Sequence, residues 1–201
     1  MSDHNASAAT AADAPAVPMA AGMVPLTGGT LWLAALVLAA ANFMAVLDMT
    51  VANVSVPSIA GNLGATTSQG TWVITSYAVA EAITVPLTGW LASRFGAVRV
   101  FATAMGLFGL ASMLCGLANS LGMLVFARIL QGLAGGPLMP LSQSLLLRIF
   151  PPRMAPAAIG LWSMTTLIAP VLGPIVGGWI CDEYTWRWIF LINIPVALVC
   201  A

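Results

Sequence analysis

LWLAALVLAAANFMAVLDMTVANVSV, residues 31–56, is a run of apolar and small side chains interrupted by one charge, Asp48. A bilayer core is about 30 Å thick and takes ~20 apolar residues wound as a helix, so this run is long enough to cross it. Runs of similar size occupy residues 72–91, 98–118, 121–147 and 157–180, and a sixth begins at 188. Turn and breaker residues separate them: Pro57 with Gly61, Asn62 and Gly64; Phe95-Gly96; Asn119-Ser120; Pro151-Pro152; and Asp182-Glu183. The pattern predicts an all-α polytopic membrane protein, a bundle over residues 31–201. Run 188–201 offers only about 21 Å of helix, so the sixth helix is expected to be truncated and a C-terminal half to be missing.

Composition points the same way. Of 201 residues 60% are hydrophobic and 6% charged, where an average soluble domain carries about 25% charge. Such a chain cannot cover a water-facing surface, which excludes a soluble enzyme and a disordered interaction protein. A membrane-embedded enzyme would need clustered His, Asp or Ser groups, yet the single His is His4, in the N-terminal tail. No enzyme activity is expected. The six cations are all Arg and six acids balance them, so no basic patch exists to hold nucleic acid. Cys115, Cys181 and Cys200 are scattered, which suggests neither a disulfide framework nor a metal site.

Residues 1–30 are rich in Ala, Ser, Thr and Pro, lack the basic start of a signal peptide, and are expected to be a disordered tail. Arg94 and Arg99 sit between runs two and three, and Arg148 and Arg153 between runs four and five. Asp182, Glu183 and Arg187 lie on the other side. The positive-inside rule therefore places the tail and the four loop arginines in the cytoplasm.

Asp48, Glu81 and Arg128 fall within spans, where each charge costs about 2.5–3.5 kcal/mol at mid-bilayer and so needs a reason. At 1.5 Å per residue Asp48 lies about 12 Å, and Arg128 about 10 Å, from the outer end of its helix. They share a leaflet and have opposite signs. Glu81, ~14 Å down helix two, is nearest the midplane. A cation, its counter-charge and a spare carboxylate are the minimum equipment of a proton switch. The same residues also fit a structural ion pair that locks helices together. Ala41, Ala45, Asp48, Ala52 and Ser55 share a face of helix one. Tyr77, Glu81, Thr84 and Thr88 form a polar stripe on helix two, and Arg128, Gln131, Gly132, Gly135 and Met139 one on helix four. Tyr77, Thr84, Gln131 and Met139 are candidates to line a cavity.

Gly132–Gly136, Gly173–Gly177, Ala102–Gly106 and Ser112–Gly116 show the small-xxx-small spacing of close helix contacts. Helix five concentrates Pro170, Gly173, Pro174, Gly177 and Gly178, which suggests a bent, close-packed element of a transporter.

With these residues in view the chain resembles the drug:proton antiporters of the major facilitator superfamily, in particular their EmrB/QacA-type branch. Residues 47–66 (LDMTVANVSVPSIAGNLGAT) resemble its first-helix signature, 69–96 its second helix, and 128–147 its fourth, with the family's helix-four arginine at Arg128. Residues 161–180 (LWSMTTLIAPVLGPIVGGWI) carry the antiporter motif, with Pro170, Gly173, Pro174, Gly177 and Gly178, and 186–196 match the start of helix six.

The resemblance implies an N-terminal six-helix bundle of two inverted three-helix repeats, multi-pass in a bacterial inner membrane. It implies proton-coupled export of lipophilic, often cationic drugs, driven by the proton gradient with no cofactor, alongside a periplasmic adaptor and an outer-membrane channel. Asp48 would be the helix-one acid and Arg128 the arginine linked to proton transfer. Glu81 matches no general motif, and a coupling role for it rests on burial and depth. Gly89, Arg94, Gly96 and Arg99 would form the cytoplasmic latch loop. That loop departs from the pattern: Ser93 stands where an acid usually precedes Arg94, and Ala97 and Val98 replace common basic residues, which implies a weakened latch. A major facilitator exporter of another metabolite, or a half-transporter inactive alone, fits the same residues.

Overall fold

The computed structural model describes residues 28–200, so the expected disordered tail lies outside the described residues except for its last three positions. Helix α1 runs Gly29–Asn62. The second run is divided into α3 (Trp72–Thr84) and α4 (Thr88–Phe95), preceded by the short α2 (Thr67–Gly70). Helix α5 spans Ala97–Gly116, and the fourth run is α6 (Leu121–Gly135) followed by α7 (Leu138–Ile149). A 3₁₀ turn leads into α8 (Ala155–Glu183), and the sixth run is α9 (Trp188–Leu191) and α10 (Asn193–Cys200). Among the described residues there is no strand.

The prolines account for where these helices differ from the expected runs. Pro57 does not end α1 but lies inside it. The stop comes at Gly64, whose φ of 65° only glycine adopts freely, with Ala65 N–H closing on Ala60 O at 2.9 Å. Pro86 does interrupt the second run: Leu87 and Thr88 bond back only three residues, to Thr84 and Val85, before the helix resumes. Pro137 marks the break between α6 and α7, whereas Pro170 and Pro174 sit within a continuous α8.

Burial divides the bundle into two apolar clusters. One gathers Leu31 through Ala45 of α1 with Val100–Phe108 of α5, Leu138–Leu146 of α7 and Ala197–Cys200 of α10. The other gathers Val51 and Ile59 of α1, Cys115, Leu124, Ala127, Ile180 and Trp186–Phe190. Elements α1, α5 and α8 pass from the first cluster to the second, and α3, α6 and α9–α10 pass the opposite way. Successive spans are therefore antiparallel. All four loop arginines fall at the first cluster's end, and Asp182, Glu183 and Arg187 at the other.

The glycine pairs behave differently from one another. Gly132 and Gly136 press on α3, and Gly173 and Gly177 press on α1 at Thr50 and Val51. Gly116 meets Leu191 of α9, while Gly106 has nothing within 4 Å, so its spacing marks no contact among the described residues.

Helix α6 starts on Ser120, whose hydroxyl accepts from Met123 N–H at 3.3 Å. Ser120→Ala is expected to cost ~1 kcal/mol by leaving that first-turn donor unpaired, read as a lower thermal midpoint in detergent, while Ser120→Gly should cost only a few tenths.

Candidate functional site

A buried polar layer lies between the two apolar clusters. It is built from Asp48 of α1, Ser112 of α5, Arg128 and Gln131 of α6 and Asn193 of α10, all buried. On each helix the polar residue falls between apolar residues of one cluster and those of the other, which is why four separate spans deliver their polar groups to one level.

Asp48 is the hub. Arg128 Nη1 donates to its Oδ2 at 2.5 Å, and the two side chains are 0% and 1% exposed. Oδ1 accepts from Asn193 Nδ2 at 2.5 Å and from Gln131 Nε2 at 3.1 Å. Gln131 Nε2 and Asn193 Nδ2 also donate to Ser112 Oγ at 3.1 and 3.0 Å, and Ser112 in turn donates to the Phe190 carbonyl at 3.0 Å. Arg128 adds bonds to Gln131 Oε1 at 2.8 Å and, through Nε, to the Val73 carbonyl of α3 at 3.1 Å. Its remaining Nη2 has no hydrogen-bond partner among the described residues. The guanidinium instead lies 4.3 Å from the Tyr77 ring centroid and 5.4 Å from that of Phe190, so two aromatic faces meet its charge. A carboxylate with three donors beside a stacked guanidinium is what a low-dielectric interior requires before it will hold two charges.

The sequence-derived candidates are placed as follows. Asp48 and Arg128 meet. Glu81 does not join them: its half-buried carboxylate makes no ion pair or hydrogen bond among the described residues, and its backbone lies against Gly132 and Gly136. Tyr77 covers Arg128, with its hydroxyl unpartnered among the described residues, beside Gly135. Thr84 turns its hydroxyl back to Ala80 and Glu81 carbonyls. Gln131 spends its amide inside the network, and Met139 is half-buried on α7. Arg94 and Arg99 are exposed on either side of Gly96, whose φ of 89° makes the α4–α5 turn, and Gly89 has open space around it. On α8, Gly173 and Gly177 face inward, whereas Pro170 and Pro174 face out and Gly178 contacts nothing within 4 Å.

Sequence reasoning missed Asn193 and Ser112 as members of the site. Both are neutral polar residues in apolar runs, and that interruption was the available signal. It also missed Asn42, which bonds Thr165 and Thr166 at 2.9 Å and ties α1 to α8.

A helical bundle with several membrane-length apolar helices and a charged pair locked inside it defines a multi-pass membrane protein of transporter type. Residues 38–201 match the Major Facilitator Superfamily, and the chain belongs to that family. It is 56% identical over 174 residues to the multidrug export protein EmrB of Haemophilus influenzae, covering 87% of this chain and 34% of that protein. It is 54% identical over 175 residues to the probable multidrug resistance protein EmrY of Escherichia coli, with the same coverage. It is also 57% identical over 177 residues to the fatty acid resistance protein FarB of Neisseria gonorrhoeae, covering 88% of this chain and 35% of that one. The chain thus spans about a third of the length of the curated relatives it matches. Its fold is that of the proton:xylose symporter XylE, with a TM-score of 0.74 at 17% identity over 85% of this chain and 43% of that structure.

Proposed function

We propose that this bundle is the N-terminal part of a proton-coupled exporter of lipophilic compounds, cationic drugs among them, in a bacterial inner membrane. The observation that carries the reading is the similarity to multidrug exporters across the same helices that hold the Asp48–Arg128 network. A cavity acid cannot hold a proton and a cationic substrate at once, so protonation of Asp48 or Glu81 would release the substrate and bias the outward-open state. Glu81, without a partner among the described residues, is the freer of the two to exchange a proton. The proton gradient supplies the energy, and no cofactor is needed.

Helix α8 is apolar yet mostly unburied, and it would present its proline-bearing face to a second bundle. The N-terminus and the four loop arginines would be cytoplasmic, the Arg94–Arg99 loop would latch helices two and three, and a periplasmic adaptor with an outer-membrane channel would complete the route out.

The test is uptake into everted vesicles holding the complete transporter. An imposed inside-acid gradient should drive accumulation of a fluorescent lipophilic cation, and an uncoupler should abolish it. Glu81→Gln should cut the gradient-driven rate ~100-fold or more, the low end of what a positioned proton-transfer group contributes, while leaving the protein folded. A Glu81→Gln rate equal to wild type would remove Glu81 from coupling. Accumulation of a fatty acid and not of the cation would move the substrate class to the one named by FarB.

A further inference from the structure

We propose that the groove between α4, α5 and α6, at the arginine-bearing end of the bundle, binds one anionic phospholipid. The groove holds about 540 Å³ and is lined at its mouth by Arg94, Phe95 and Arg99 and farther along by Thr103, Leu107 and Leu133. From Arg99 to Leu107 along α5 is about 12 Å, so the charged mouth continues into an apolar trough running toward the bilayer centre. Its floor is the buried face of Val100, Ala104 and Ala134.

Among the described residues the charge at the mouth is uncompensated. Neither guanidinium has an ion pair or a hydrogen bond among the described residues, where the one ion pair is Asp48–Arg128. Asp182 and Glu183 lie at the opposite end of the bundle, and Glu81 is ~20 Å up the second span from Arg94. Ser93 offers no counter-charge and turns its hydroxyl to the Trp90 carbonyl at 2.8 Å. Trp90 and Phe95, both exposed, stack edge to face at 6.2 Å, as aromatic side chains do at headgroup level.

Two cations at the mouth, no acid beside them among the described residues to receive an ammonium group, and an apolar trough beyond fit an anionic headgroup with an acyl chain. A zwitterionic lipid would leave its cation unmatched, and a free phosphate would leave the trough unused. The assignment does not depend on the efflux reading.

The test is native mass spectrometry of the purified protein in detergent, with added phosphatidylglycerol, phosphatidylcholine of the same chains, or glycerol phosphate. Phosphatidylglycerol should bind with one saturable site and the other two should not. Arg94→Gln with Arg99→Gln should weaken it about 25-fold, ~5-fold per arginine. Thr103→Trp, which fills the trough without changing charge, should weaken it as well. Arg148→Gln with Arg153→Gln, the same loss of charge at residues that do not line the groove, should leave it within about 2-fold. Equal binding of phosphatidylcholine, or an equal loss in the Arg148/Arg153 variant, would overturn the proposal. So would glycerol phosphate binding as tightly as the lipid. If the Arg94/Arg99 variant is not monodisperse, the single Arg99→Gln and Thr103→Trp variants decide the matter.

Discussion

Replacing Arg128 by Met is expected to unfold the bundle rather than merely silence it. The substitution keeps a long side chain under the Tyr77 and Phe190 rings but leaves Asp48 charged, buried and without its cation. Removing one partner of a buried pair costs about 3–5 kcal/mol, a large part of the stability of an ordinary domain. Asp48→Asn is a milder change. Arg128 would keep Gln131 Oε1, the Val73 carbonyl and both aromatic faces, and the neutral amide at position 48 could still accept from Asn193 or Gln131. The single variants should therefore differ in yield of monodisperse protein and in thermal midpoint, with Arg128→Met far the worse. The double variant, Asp48→Asn with Arg128→Met, should recover most of the stability, because no unpaired charge remains inside. It should recover no proton-driven efflux if Asp48 is part of the coupling. A double variant as unstable as Arg128→Met alone would show that the lost contacts, and not the stranded carboxylate, carry the cost. Gradient-driven efflux at the wild-type rate in Asp48→Asn would remove Asp48 from coupling.

What could be read ahead of the structure follows the strength of each signal. A chain 60% hydrophobic leaves its spans in plain view, and charges within them are too costly to be incidental. Depth arithmetic was enough to put Asp48 and Arg128 at one level, because a helix has a fixed rise per residue. The helix ends were harder. Pro57 and Pro86 look alike in sequence, yet one is absorbed into α1 and the other opens a turn, a difference that no local residue type signals. Asn193 escaped notice, and Ser112 registered only as a small residue, because an amide or a hydroxyl in an apolar run is cheaper than a charge. Their value comes from sharing one carboxylate and one another across helices far apart in sequence. Small-residue spacing identified a flat face without saying what lies against it, as the contrast between Gly132 and Gly106 shows.

That contrast supports the second large effect. A Cβ at Gly132 would fall within clash range of the Tyr77 carbonyl oxygen, 2.9 Å from Ala80 Cβ and 3.2 Å from the Glu81 nitrogen. Two of these are backbone atoms of α3 and cannot rotate away, so Gly132→Ala must push α3 off α6. Overpacking of a tight contact typically costs about 1–3 kcal/mol. Here the shift also carries consequences for the polar layer. Helix α3 brings the Val73 carbonyl to Arg128 Nε at 3.1 Å and holds the Tyr77 ring over its guanidinium. Moving α3 outward uncovers Arg128 while leaving both charged groups in place. Gly132→Ala should therefore lower the thermal midpoint and impair efflux together. Gly106→Ala, with nothing within 4 Å of the added methyl, should do neither and gains helix propensity of about 0.8–1.0 kcal/mol. Gly173→Ala on α8 is an independent second case, since its Cβ would collide with Thr50 of α1, whereas Gly178→Ala would meet nothing. If Gly132→Ala proves as stable as Gly106→Ala, α3 and α6 are not in the contact described here, and the covering of Arg128 by Tyr77 falls with it.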